Sequence, residues 1–138
     1  MKTVFIDTGY LIALDSKADQ HHAAASKHWR YFSRARPRLV TTNLVMTEVV
    51  TFFANRGMHA RAVEVGNRLL ASRVVRMIHV DEQLFAAGFE YLSNRPDKRF
   101  SMTDCVSFVV MEQLGIRDAL AFDAHFEQAG FIRLPLVS

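Results

Sequence analysis

Short apolar runs alternate along this chain with longer stretches in which apolar residues recur at every third or fourth position. Runs of the first kind read as buried strands, and stretches of the second kind as helices with one buried face. Thr3 to Asp7 (TVFID) is predicted as the first strand, ending on a carboxylate, and Tyr10 to Leu14 as a short helical turn. Asp19 is expected to cap a helix running through Phe32, and Pro37 to end that region. Leu39 to Thr42 is a second strand. Thr42 or Asn43 then caps a helix, LVMTEVVTFFAN, that stops at Gly57. Met58 to Ser72 is amphipathic, with Ala62, Val65, Gly66 and Leu69 on one face and Arg61, Glu64 and Arg68 on the other. Val74 to Val80 is a third strand, and Asp81 opens a helix through Leu92. Ser93 to Arg99 (SNRPDKR) is a polar loop, after which Ser101 or Thr103 caps an unusually apolar helix. Ala119 to Phe122 is a fourth strand, His125 to Gln128 a helical turn, and Phe131 to Leu134 a last strand.

Strands separated by helices imply parallel pairing, because a parallel neighbour is reached only by a crossover. The expected fold is therefore an α/β sandwich, a central parallel sheet of four to five strands flanked by helices. The strands are nearly continuous apolar runs, as expected where helices cover both faces. No repeat interrupts the chain, and SNRPDKR is too short to be a linker, so residues 1–138 read as a single domain.

Composition narrows the setting. Half of the 138 residues are hydrophobic and eleven are Phe, enough for a sizeable core. The apolar runs fall far short of the ~20 residues of a membrane-spanning helix, so no membrane association is expected. The apolar start, MKTVFIDTGYLIALD, is interrupted by Asp7 and reads as a strand rather than a signal peptide. The single cysteine, Cys105, permits no intrachain disulfide, which fits a reducing cytoplasm. The net charge of +3 is compatible with an acidic partner such as nucleic acid.

Four carboxylates stand where carboxylates are costly. Asp7 follows Val4-Phe5-Ile6, and Asp123 follows Ala119-Leu120-Ala121-Phe122. Glu48 is the only ionisable residue between Val40 and Ala54, and Asp104 the only carboxylate between Phe100 and Met111. Burying an unpaired charge is strongly unfavourable. Asp7 and Asp123 each end a predicted parallel strand, where open α/β sheets form their ligand sites. Asp104 and Glu48 lie in the first two turns of helices. If all four face one crevice, a shared cation explains them. Oxygen-only donors select a hard divalent ion, Mg²⁺ or Mn²⁺. Zinc is disfavoured, since His21 and His22 are adjacent on a helix and no HExxH or CxxC occurs. Three of the acids also have a plainer reading: Asp7 and Asp123 as caps of the turns that follow them, Asp104 as a helix-start acid. Glu48 is harder to dismiss, since no Lys or Arg lies one turn away. The other ten of the fourteen acidic groups lie in polar surroundings or at loop and helix ends, and setting the four aside leaves seventeen basic groups against these ten. An acidic pocket in a basic surface suits a phosphodiester substrate.

The segments VFIDTGYLIALD, TTNLVMTEVVTFF, FSMTDCVSFVVM and AFDAHFEQAGF, in this order and at these separations, resemble the PIN-domain family, and within it the VapC-like toxin ribonucleases. The resemblance implies a Mg²⁺- or Mn²⁺-dependent endoribonuclease that forms a homodimer and is inhibited by a cognate antitoxin. It implies that Asp7, Glu48, Asp104 and Asp123 are the metal-binding and catalytic set. Thr8, Asn43, Ser101 and Thr103 would then be polar residues supporting that set or orienting RNA. Two other readings stay open: a PIN nuclease without an antitoxin, and a non-catalytic PIN scaffold binding RNA or protein. A haloacid-dehalogenase-like phosphatase also starts from an Asp after its first strand, but needs a second Asp two residues on, where this chain has Gly9.

The remaining chemistry-bearing residues read more plainly. Cys105 is expected to be buried and inert. His125 reads as a solvated turn residue before a phosphate contact, and His21 and His22 as solvent-facing. Trp29, Tyr31 and Phe32 could stack on bases, but more often such a cluster is core or a protein interface, where in the toxin reading they and the helix from Leu44 to Ala54 would line an antitoxin groove. Arg95, Lys98 and Arg99 form either a solvated loop or a grip on RNA backbone.

Overall fold

Val4, Phe5 and Ile6 are buried whichever way they point, which fixes the first strand at the centre of a sheet. The computed structural model describes residues 2–136. Its elements run β1 (Thr3–Ile6), α1 (Thr8–Asp15), α2 (His22–Phe32), β2 (Arg38–Thr42), α3 (Asn43–Asn55), α4 (His59–Ala71), β3 (Val75–Ile78), α5 (Glu82–Ser93), α6 (Met102–Leu114), β4 (Asp118–Leu120), α7 (His125–Gln128) and β5 (Ile132–Leu134). The five strands are all parallel, in the order β3-β2-β1-β4-β5. Helices α1 to α4 pack among themselves, as do α5 to α7. The crossovers from β1 to β2 to β3 run one way along the sheet and the crossover from β3 back to β4 runs the other way. Right-handed connections therefore put the two helix groups on opposite faces, giving the three-layer sandwich.

The amphipathic stretch at 58–72 behaves as its pattern requires: α4 buries Ala62, Val65, Gly66 and Leu69. Helix α6 has no polar face to speak of, and every residue from Asp104 to Met111 is buried. It lies under α5, with Phe108 packed against Phe100, Phe126 and Phe131. Gly88 of α5 makes the close approach possible. A Cβ there would meet Val106 Cγ2 at 2.5 Å and the Val106 backbone at 3.1 and 3.2 Å. Gly88→Ala is therefore expected to destabilise the protein by about 1–3 kcal/mol, read as a lower denaturation midpoint with an unchanged m-value.

Local expectations needed three corrections. The turn after β1 is a two-turn helix, Thr8–Asp15, rather than a single turn. Asp19 does not cap α2: its carboxylate accepts the His21 N–H at 2.8 Å, closing a turn ahead of the helix, whose N-cap is His21. Asp118, one of the ten acids expected in polar surroundings, is only 4 % exposed. It opens β4 opposite Val4, and its charge is met by Lys2 in an ion pair without hydrogen-bond alignment.

Candidate metal centre

The sheet order reverses between β1 and β4. From β1 the chain leaves toward β2, and only later returns to add β4 on the other side. The crevice beyond the carboxyl ends of these two strands is the natural site of such a fold. Asp7 sits there directly after β1, its N–H bonded to Leu120 O at 2.9 Å. It occupies the N-cap position of α1 but makes no side-chain capping bond, so the plain capping reading fails for it. Its carboxylate is buried, at 6 % exposure.

Asp104 reaches the same crevice from the first turn of α6. Ser101 and Asp104 form a reciprocal capping box: Ser101 Oγ accepts the Asp104 N–H and Asp104 Oδ2 accepts the Ser101 N–H, both at 3.0 Å. The helix-start reading thus accounts for one carboxylate oxygen and not for the burial of the group. Asp123 follows β4 in a turn, and its Oδ1 accepts the His125 N–H at 2.9 Å. The Phe122 ring just before it stacks between His21 and Tyr10, with centroids at 4.2 and 5.8 Å.

Glu48 lies on the less apolar side of α3, where Thr47, Thr51 and Asn55 are exposed along the same stripe. Its position on α3 is exposed, so its isolation in an apolar stretch marks the rim of the crevice rather than a buried charge. Thr8 Oγ1 donates to its Oε1 at 2.8 Å, tying the start of α1 to α3.

The electrostatics of Asp7 report the convergence. Its carboxyl is pushed up to about 7, first by burial and then by the charge of Asp104, with Asp123 and Glu48 adding to the rise. A hydrogen bond from the Thr8 backbone opposes it. All four predicted acids therefore act on one point. A set dominated by carboxylate oxygens, crowded enough to keep one of its members protonated near neutrality, fits a hard divalent cation that would relieve the repulsion.

His125 is not the solvated turn residue that its sequence position suggests. Its Nδ1 lies 2.8 Å from Asp104 Oδ2 and 3.1 Å from Asp123 Oδ2. Asp104, Asp123 and His125 each offer a ligand atom within 4.8 Å of the others. The available signal was its spacing: two residues past a strand-end acid, a turn folds the side chain back over that acid.

The supporting residues divide. Thr8 and Ser101 touch acids of the set. Asn43 does not: its Oδ1 accepts the Val80 N–H at 2.8 Å, pinning the end of the β3 segment to the start of α3. Thr103 is half-buried in the first turn of α6 and gives its carbonyl to Ser107. His21 and His22 are half-buried rather than solvent-facing, His22 Nδ1 lying 2.7 Å from Ala13 O. Arg95 turns inward, its guanidinium 3.4 Å from the Tyr91 ring centroid, and is no free grip for RNA. Cys105 is buried, and burial followed by the Asp104 charge pushes its thiol up, consistent with an inert group. Trp29 lines a cavity of about 260 Å³ with Leu11, Leu14, Val65 and Leu69. That cleft joins α2 to α1 and α4.

Comparison with known proteins agrees with this architecture. Over 131 residues the chain is 34% identical to the 23S rRNA-specific endonuclease VapC20 of Mycobacterium tuberculosis, covering 95% of this chain and 97% of that protein. A VapC ribonuclease of Archaeoglobus fulgidus is 28% identical over 130 residues, covering 88% of this chain and 77% of that protein. The crystal structure of Mycobacterium tuberculosis VapC20, described as a sarcin-ricin loop cleaving toxin, superposes with a TM-score of 0.86 at 33% identity, over 94% of this chain and 96% of that one. The sequence profile of the PIN domain matches residues 4–132. With a parallel five-stranded sheet and an acidic crevice at its switch point, this chain belongs to the PIN domain family.

Proposed function

We propose that this protein is the toxin of a toxin–antitoxin pair, a Mg²⁺- or Mn²⁺-dependent endoribonuclease that hydrolyses an RNA phosphodiester. The observation that carries the reading is the buried Asp7 carboxyl, raised to about 7 by its burial and three neighbouring acids. Such an arrangement has no structural benefit of its own and is relieved by a cation. When bound, a divalent cation lowers the pKa of a coordinated water and neutralises charge on the scissile phosphate. Asp7, Asp104 and Asp123 would hold it. Glu48, exposed on the rim and fixed by Thr8, is placed to orient the attacking water or to complete the ligand set. No Ser or Cys nucleophile takes part, so the products carry 5′-phosphate and 3′-hydroxyl ends.

Likeness to VapC20 makes 23S rRNA, and within it the sarcin–ricin loop, the substrate to test first. The apolar cleft around Trp29 has Asp15 and Arg68 at its edge and suits an amphipathic antitoxin segment. Phe85 and Phe89, one turn apart on α5 and 49 % and 59 % exposed, suit a homodimer face. Among the described residues no helix is long and apolar enough to cross a membrane, and we read the site of action as the cytoplasm.

The test is induction in a bacterial host, with new RNA 5′-phosphate ends mapped for wild type and for Asp104→Asn. Sharp ends in 23S rRNA with wild type alone are the expected result. The same ends with both proteins would remove Asp104 from the site. No cutting of purified ribosomal RNA in Mn²⁺ would favour the scaffold reading.

A further inference from the structure

The family set of four acids leaves His125 without a role, although it touches two of them. Asp104 Oδ2 accepts two hydrogen bonds, from the Ser101 N–H at 3.0 Å and from His125 Nδ1 at 2.8 Å. A carboxylate oxygen carries two lone pairs in its plane, so this oxygen is saturated. Among the described residues Asp104 Oδ1 takes no hydrogen bond. An ionised carboxylate only accepts, so the nitrogen facing Asp104 and Asp123 carries the proton, and the tautomer follows from its neighbours. The same residue engages Asp123 twice, through its backbone N–H at 2.9 Å and through Nδ1 at 3.1 Å.

The imidazole is itself held. Phe100 meets it edge-on with centroids 5.5 Å apart, and the next residue, Phe126, is fully buried. The turn does not depend on it. Arg133 donates to Phe122 O at 2.7 Å and pairs with Glu127 at 2.9 Å, closing the segment from the other side.

We propose that His125 is a positioning residue of the metal centre: its Nδ1–H occupies Asp104 Oδ2 and draws Asp123 alongside, so that Asp104 offers Oδ1 alone to a cation. The inference rests on the metal-nuclease reading and deepens it. Ligand carboxylates held by outer hydrogen bonds bind their ion more tightly because their orientation is fixed beforehand, and losing such a partner typically costs 10–100-fold in affinity.

The test is Mn²⁺ affinity of the purified full chain, measured by electron paramagnetic resonance on wild type, His125→Ala and His125→Asn. The Asn amide N–H can stand where Nδ1–H stood. The expected result is a loss of about 10–100-fold in His125→Ala, largely recovered in His125→Asn, with no nitrogen coupled directly to Mn²⁺ in the wild-type spin-echo spectrum. Thermal unfolding of the metal-free proteins shows whether each variant is folded, and His125→Asn keeps the test in hand if the alanine variant is not. Wild-type affinity in both variants would overturn the positioning role. Loss in both variants together with a directly coordinated nitrogen would make His125 a ligand, and would overturn it equally. Failure of the wild type to bind Mn²⁺ at all would sink the metal reading itself, a result distinct from either.

Discussion

Asp7→Asn is expected to abolish RNA cleavage and, at the same time, to stabilise the metal-free protein at pH 8. The two effects have one origin. The Asp7 carboxyl moves from 3.8 to about 7 on folding, mainly through burial and then through Asp104. Between those values the native state binds a proton that the unfolded state has released. Stability therefore falls as pH rises from about 4 to about 7, and stays reduced above that. A rise of this size corresponds to a penalty of roughly 4 kcal/mol once the group is ionised, at ~1.4 kcal/mol per unit. Asn has the same shape and no charge, so much of that penalty should disappear at pH 8. In a domain of this size ~2 kcal/mol raises Tm by roughly 5–10 °C. The variant should also lose most of its advantage at pH 4, close to the unfolded-state value of 3.8, where little of the proton-linked penalty remains. Calorimetric scans of the metal-free proteins at pH 4 and pH 8, beside a cleavage assay, check both halves. An Asp7→Asn protein less stable than wild type at pH 8 would show that the carboxylate is structural.

Chelation should abolish cleavage, Mn²⁺ should restore it, and the affinity for Mn²⁺ should depend steeply on pH. The ion binds the ionised form of the site, so below about pH 7 it must displace the Asp7 proton. The apparent dissociation constant should fall about tenfold per pH unit up to that point and level off above it, the behaviour of a single displaced proton. Bound ion then stabilises the fold by mass action, by ~2.7 kcal/mol at a hundred times its dissociation constant. Titration calorimetry in buffers of different ionisation heat measures the protons released directly. Affinity flat from pH 5 to pH 8 would mean that Asp7 is not a ligand, and would move the site outward to Asp104, Asp123 and Glu48.

These expectations meet a tension common to metal sites in small domains. The chain accepts the buried pair Asp7 and Asp104, whose charges repel, because the sheet and α6 are otherwise apolar and closely packed. Val4, Phe5, Phe108 and Phe126 are fully buried within the layers that carry Asp7 and Asp104. The same packing holds the Asp7 and Asp104 carboxylates in place. It also explains why a methyl group at Gly88, distant from the acids in sequence, acts on the helix that presents Asp104.

What the sequence determined alone was whatever depends on periodicity and on local chemistry. Alternating apolar runs and amphipathic stretches specify strands and helices, and hence a parallel α/β sheet, because the buried face of each element is written in its spacing. The buried face of α4 was legible residue by residue for this reason. Asp7 and Asp104 were legible as misplaced charges, because a carboxylate amid continuous apolar sequence has nowhere to be solvated. What only the tertiary structure decided was whatever depends on neighbours far along the chain. Glu48 stands in apolar sequence yet lies exposed, since α3 turns that position to the rim, where Thr8, forty residues earlier, meets it. Asp118 stands beside Arg117 and looks solvated, yet β4 begins at that residue against the central strand and Lys2 meets its charge. His125 reads as an ordinary turn residue until Asp104, twenty-one positions away, is brought against it. Burial along one element is a property of its own pattern. The partner of a polar group is fixed only when the chain closes, and in this protein the partners make the site.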